Sequence, residues 1–180
     1  MAEEKTLSSR YIFKGRAFNV RVDTVINAGG QETTREIVEH GECVAVVPVD
    51  AEGQILMVRQ FRKSVEKELL EIPAGGIEPG EEPVAAVKRE LQEEIGCLPG
   101  RVERMGGFYS TPGYCTEYLY LYLAADLKPS QLYAEDTAGI QTVRIKTRDV
   151  RRLIKSGEIC DSKSIAGLLV FLERRPQKSL

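Results

Sequence analysis

Residues 75–97 read GGIEPGEEPVAAVKRELQEEIGC, a glycine-rich turn running straight into a short acidic segment. Pro83 suits a first helical position, where its missing N–H is not wanted and its fixed φ is already helical. Glu81 and Glu82 fall by the positive end of the helix dipole. Gly96 is placed to close the helix in the left-handed conformation, and Pro99 prevents continuation. The stretch therefore predicts a helix over residues 83–95.

Within that helix Val84, Val87, Leu91 and Ile95 share one stripe at the 3.6-residue period and should face a core. Glu90 and Glu94 are helix neighbours, with Glu93 further round, and like charges at that spacing oppose a helix unless something compensates them. A hard divalent cation, which gathers carboxylate oxygens, is one compensation. A solvated acidic face balanced by Lys88 and Arg89 is the other. Composition and spacing leave both open.

The order of residues is more specific. Gly75, Glu81, Arg89-Glu90-Leu91, Glu93-Glu94 and Gly96, at these intervals, resemble the Nudix box; only Cys97 departs, where a larger aliphatic residue is common. That resemblance implies an α+β chain: a Nudix-type α/β/α sandwich with a mixed sheet and an N-terminal β-hairpin lobe. It implies Mg2+-dependent hydrolysis, with Mn2+ as a substitute cation, of a nucleoside diphosphate linked to another group. Glu90 and Glu94 are then metal ligands, Glu93 assists, and the carbonyl of Ala74 joins them. Arg89 then pairs with a carboxylate to hold the turn against the helix, Glu81 helps to fix that geometry, and Gly75 and Gly96 are structural.

Flanking segments narrow the branch. Thr34–His40, Val58–Arg62, Leu70–Gly75, Ser110–Glu117 and Gly157–Ile165 are similar to the branch that cleaves ADP-ribose, and Pro112 stands where a proline marks it. The resemblance assigns Arg35 and Glu36 to the adenosine end, reached from the other subunit of a swapped homodimer. It gives Arg62 to the diphosphate, a task suited to a forked guanidinium. Gly76, Pro112, Gly113 and Glu117 would line the pocket. One departure stands out: Ala138 occupies the place of a glutamate that serves as base or extra ligand. Glu135 and Asp136 are the nearest carboxylates and, with Glu93 and Glu94, the candidates for catalysis. ADP-ribose is the expected substrate, giving AMP and ribose 5-phosphate. GDP-mannose or another nucleotide sugar is the alternative, and a non-catalytic sensor of ADP-ribose is a third.

The whole chain bounds these readings. Its 180 residues are enough for one core plus a small lobe, and 42% hydrophobic with 29% charged is a globular composition. A net charge of −2 without a basic run argues against nucleic acid as a partner. Cys43, Cys97, Cys115 and Cys160 are widely spaced and His40 is the single histidine, a poor set for zinc and a better one for thiols in a reducing compartment. The polar start and the lack of a long apolar run predict a cytoplasmic protein that does not enter a membrane. We expect a mobile tail over residues 1–9 and strands within Tyr11–His40 turned at Asn27–Gly30. The organisation is then a dimerisation and substrate lobe over 1–40 and a hydrolase domain over 41–180. Cys43–Val49 reads as a strand buried on both faces. Of Arg59 and Arg62, one is expected in a loop. Tyr118–Ala124 alternates tyrosine with leucine, either a wet face or one covered by a helix. A last helix should be capped by Asp161 and bury Ile165, Leu168, Leu169 and Leu172.

Overall fold

The computed structural model describes residues 3–134 and 137–174. Among the described residues ten strands and three α-helices follow one another: β1 (Lys5–Lys14), β2 (Phe18–Ile26), β3 (Glu32–His40), β4 (Cys43–Pro48), β5 (Gln54–Arg62), β6 (Lys67–Glu71), β7 (Ala74–Gly76), α1 (Pro83–Glu94), β8 (Cys97–Tyr109), β9 (Tyr118–Pro129), β10 (Gln141–Lys146), α2 (Val150–Lys155) and α3 (Ser162–Arg174). They divide into two units. One takes in the chain up to Glu42 with Tyr109–Tyr118, the other Cys43–Phe108 with Leu119 onward.

The first unit is an antiparallel sheet in the order β1-β2-β3. Asn27 makes its turn: the side-chain Oδ1 accepts from the N–H groups of Gly29 and Gln31 at 2.9 and 3.0 Å, and Gly30 takes a φ of 78°. Within the tail expected over residues 1–9, residues 5–9 are instead half of a strand, since β1 pairs with β2 from Lys5↔Ile26 to Lys14↔Asn19. The lobe is therefore three-stranded rather than a hairpin. β1 is exposed along its whole length, so it lacks the alternation that marks a half-buried strand. The turn at Ser110–Gly113 leads into a segment held on β3, where the Val38 N–H donates to the Tyr114 carbonyl at 2.8 Å and the Thr116 N–H to the Val38 carbonyl at 3.0 Å.

The second unit is a sandwich. β4 is buried throughout because it is covered on both sides: Cys43, Ala45 and Val47 pack with Leu168 and Phe171 of α3, while Val44 and Val46 pack with Val87 and Leu91 of α1. β5 divides in the same way, with Ile55 and Met57 to one cluster and Leu56 and Val58 to the other. The sheets run β7-β4-β9-β8, with β4 and β9 parallel, and β10-β5-β6. The tyrosine stripe of β9 is a covered face: Tyr120 and Tyr122 lie in the α1 cluster, and Leu119, Leu121 and Leu123 in the other.

Some details differ from expectation. Val84 is 42% exposed, because the buried face of α1 is centred on Ala86, Val87 and Leu91. The buried face of α3 is Ser164, Gly167, Leu168 and Phe171, leaving Leu169 only partly covered. Gly167 sets that choice: a Cβ there would come within 2.8 Å of Ile72 Cδ1 and 2.9 Å of Leu121 Cδ1, so the helix presses its backbone on the sheet. Arg59 and Arg62 both belong to β5; their three-residue spacing sends one to Glu158 and the other to Glu71. No helix among the described residues is long and apolar enough to cross a membrane.

Candidate active site

Arg89 ties the turn to the helix. Its Nε and Nη2 donate to the two carboxylate oxygens of Glu81 at 3.0 and 2.9 Å, and Nη2 also reaches the Gly76 carbonyl at 2.8 Å. Nη1 donates to Glu90 at 2.6 Å and to Glu93 at 3.2 Å. Glu81 in turn accepts from the Glu78 N–H at 3.0 Å, which closes the loop before α1. The Arg89 guanidinium holds the Glu81 carboxyl below the usual carboxylate range. Glu81 is the carboxylate that Arg89 grips with two nitrogens, and Gly76 joins the contact through its carbonyl.

Glu90 points back across the turn, into space that exists because residue 75 is glycine. A Cβ on Gly75 would stand 2.0 to 2.3 Å from the carboxylate atoms of Glu90. β7 sets this position by pairing with β4, Val44 opposite Gly75 and Ala45 opposite Ala74. Glu94, one turn on, accepts the Ala74 N–H at 3.2 Å. Burial pushes the Glu90 carboxyl up, against the pull of Arg89. Burial first, and the Glu90 charge second, push the Glu94 carboxyl up to about 8. Two carboxylates one helical turn apart, lining one cavity beside the Ala74 segment, form an all-oxygen donor set. That set, with the glycine cradle that makes room for it, fits a hard divalent cation.

These groups line a cavity of about 370 Å³ together with Gln60, Arg62 and Ala74. Ala134 and Thr137 border it from the segment before β10. A larger cavity of about 710 Å³, with Val49, Met105 and Phe171 in its wall, shares no residue with it. Arg62 is forked on Glu71, Nε to Oε1 at 2.8 Å and Nη2 to Oε2 at 2.7 Å, while Nη1 makes no hydrogen bond among the described residues.

The structure thus brings together Ala74, Gly75, Gly76, Glu81, Arg89, Glu90, Glu93, Glu94 and Arg62. Gly96 adopts a φ of 66° just past the helix. The remaining assignments fall in the first unit. Arg35 and Glu36 are on β3, with Arg35 donating to Glu4 at 3.1 and 2.5 Å. Pro112, Gly113 and Glu117 are in the segment attached to that strand. Glu135 and Asp136 lie outside the described residues. Three residues were not singled out from sequence. Glu71 is a buried charge inside the apolar run LLEIP, and that contrast is a readable signal. Lys163 donates to Glu71 and, at 2.9 Å, to Asp161. Gln131 donates to the Gln92 and Glu93 carbonyls at 3.0 and 3.2 Å, tying its segment to the last turn of α1.

Comparison with known proteins places these elements in a family. Residues 39–165 match the NUDIX domain, and residues 4–38 match the nucleoside diphosphate sugar hydrolase N-terminal domain. An ADP-ribose pyrophosphatase of Bacillus subtilis (strain 168) is 37% identical over 164 residues, 90% of this chain and 89% of that one. A methanol dehydrogenase activator of Bacillus methanolicus is also 37% identical, over 91% of this chain and 89% of its own. The solved structure of an ADP compounds hydrolase superposes with a TM-score of 0.87 at 21% identity, covering 95% of this chain and 93% of that one. The glycine cradle, the arginine-tied turn and the α1 carboxylates lie inside the matched domain, and the chain belongs to the Nudix family.

Proposed function

We propose that the chain hydrolyses the diphosphate bond of ADP-ribose, or of a related ADP-sugar, to AMP and ribose 5-phosphate with Mg2+. The observation that carries this reading is the cradle at Gly75, which makes room for Glu90 at a cavity that Glu94 and a forked arginine also line. The similarity to a protein named ADP-ribose pyrophosphatase over nine-tenths of the chain supports the choice of substrate. Glu90, Glu94 and the Ala74 carbonyl would hold the cation, with Glu93 assisting. When bound, the cation neutralises phosphate charge and makes a coordinated water more acidic.

The chain's own residues do the rest. Arg62 keeps its Nη1 edge for a diphosphate oxygen while Glu71 holds the opposite edge. We assign the remainder of the substrate to Gly76, Arg35, Glu36, Pro112, Gly113 and Glu117, with Arg35 and Glu36 supplied by the other subunit. The proton of the attacking water passes to a carboxylate among Glu93, Glu94, Glu135 and Asp136. We take residues 1–40 as the dimerisation and substrate lobe, 41–180 as the hydrolase domain, and a homodimer as the working form. Leu7, Tyr11, Ile12 and Phe13 of β1, each 44% exposed or more, support a partner copy on that edge. Four free cysteines suit a cytoplasmic setting.

The test is product analysis with ADP-ribose, GDP-mannose and a nucleoside triphosphate, each with Mg2+. AMP and ribose 5-phosphate formed fastest from ADP-ribose supports the reading. Faster cleavage of GDP-mannose keeps the chemistry and replaces the substrate. Tight binding of ADP-ribose without products makes the protein a sensor. A monomeric mass by light scattering at micromolar concentration would remove the dimer.

A further inference from the structure

Glu71 is 1% exposed and stands at the end of β6 between two cations. Arg62, the last residue of β5, reaches it through the forked pair already described. Lys163, in the first turn of α3, donates its Nζ to Oε2 of the same carboxylate and to Asp161 Oδ1. That Asp161 oxygen also accepts the Ser164 N–H at 3.0 Å, so the aspartate caps the helix and anchors the lysine at once. Burial pushes the Glu71 carboxyl up, but Arg62 and Lys163 outweigh it and hold the group below the usual carboxylate range.

A buried carboxylate between two cations is a costly way to join two strands and a helix, since packed apolar groups serve as well or better. Its chemical effect lies elsewhere. Lys163 is paired with Asp161 as well, so the four side chains balance in charge, and what the lysine adds is geometry at the edge of the cavity that Arg62 lines. The second donor on Oε2 also fixes the plane of the carboxylate, and the carboxylate fixes the plane of the guanidinium.

We propose that Lys163 is a positioning residue for Arg62: by sharing Glu71, it keeps the guanidinium oriented toward a diphosphate oxygen in the cavity. The assignment rests on the diphosphate-cleaving reading above. Lys163 acts through Glu71 and need not touch the substrate.

The experiment compares the full-length protein with Lys163→Met and Lys163→Arg, using ADP-ribose and Mg2+ for kinetics and inorganic pyrophosphate for binding. Loss of the lysine should raise KM about tenfold, the weight of one charge-assisted interaction, with kcat within about twofold. Pyrophosphate binding should weaken by a similar factor, and Lys163→Arg should recover most of both losses. A purely structural lysine would instead lower the melting temperature of Lys163→Met and leave KM and pyrophosphate binding unchanged; that result overturns the proposal. Equal effects of the Met and Arg variants would overturn it too. If the wild-type protein cleaves no nucleotide sugar, the functional reading fails by itself, and pyrophosphate binding alone decides the role of Lys163.

Discussion

The Glu90 carboxylate occupies the space that a side chain on Gly75 would need: a Cβ at residue 75 would lie 2.0 Å from Oε1 and 2.1 Å from Cδ. The glycine is required for room rather than for an unusual backbone, because its strand partner Val44 keeps it in regular extended pairing. Gly75→Ala should therefore displace Glu90 and leave the sheet in place. Activity should fall about 10- to 100-fold, the usual effect of disturbing a residue that orients a metal ligand. Calorimetry of Mg2+ binding should show the matching loss of affinity. Full activity in that variant would contradict the role given to Glu90.

Arg89 serves Glu81, Glu90, Glu93 and the Gly76 carbonyl from one planar group. A lysine keeps the charge but offers a single nitrogen, so Arg89→Lys should not be conservative. We expect a stability loss of about 2 kcal/mol by denaturant unfolding, from broken charge-assisted hydrogen bonds at a partly buried site. Activity should drop further than stability predicts, because Glu90 loses its restraint.

Glu94 gives a pH dependence with a definite sign. Its carboxyl is raised from 4.5 to about 8. Between those values the metal-free folded protein binds a proton that the unfolded chain does not, so stability is greatest at the acid end and declines as pH rises toward 8. A bound cation needs the ionised group, so Mg2+ affinity should climb by about tenfold per pH unit below 8 and then level off. Glu94→Gln should flatten both curves, weaken Mg2+ binding and remove most activity. Melting curves and titration calorimetry from pH 5 to 9 provide the check.

Ser164 is fully buried in α3 and its Oγ accepts the Ile72 N–H at 2.8 Å, joining the helix to the chain just past β6. Ser164→Ala leaves that N–H buried without an acceptor, a loss of about 1–3 kcal/mol. Thermal unfolding measures it. A change below about 0.5 kcal/mol would mean that another acceptor replaces the hydroxyl.

The carboxylate helix was legible because everything that makes it is local: Pro83 starts it, Gly96 ends it, and the glutamates lie one turn apart. β4 was legible for a similar reason, as an unbroken apolar run. Arg62 was assigned to phosphate without its partners, since Glu71 and Lys163 are 92 residues apart and no periodicity connects them. The first half of β1 was read as a tail because a strand exposed on both faces has no apolar alternation. Val84 and Leu169 were each placed on the wrong side of a buried stripe. The helices are rotated by their contacts with the sheet, which a helical wheel does not contain.

The parallel pairing of β4 with β9, from Cys43↔Leu119 to Pro48↔Ala124, joins the two ends of the segment that contains the Nudix box. On a ribosome the box leaves the exit tunnel before β9 does. The acidic helix then exists without the strand that completes the layer beneath it, and closing so long a loop is slow. A cation-binding helix born early must wait for a late strand, so truncated nascent chains should gain the site only once β9 has left the exit tunnel.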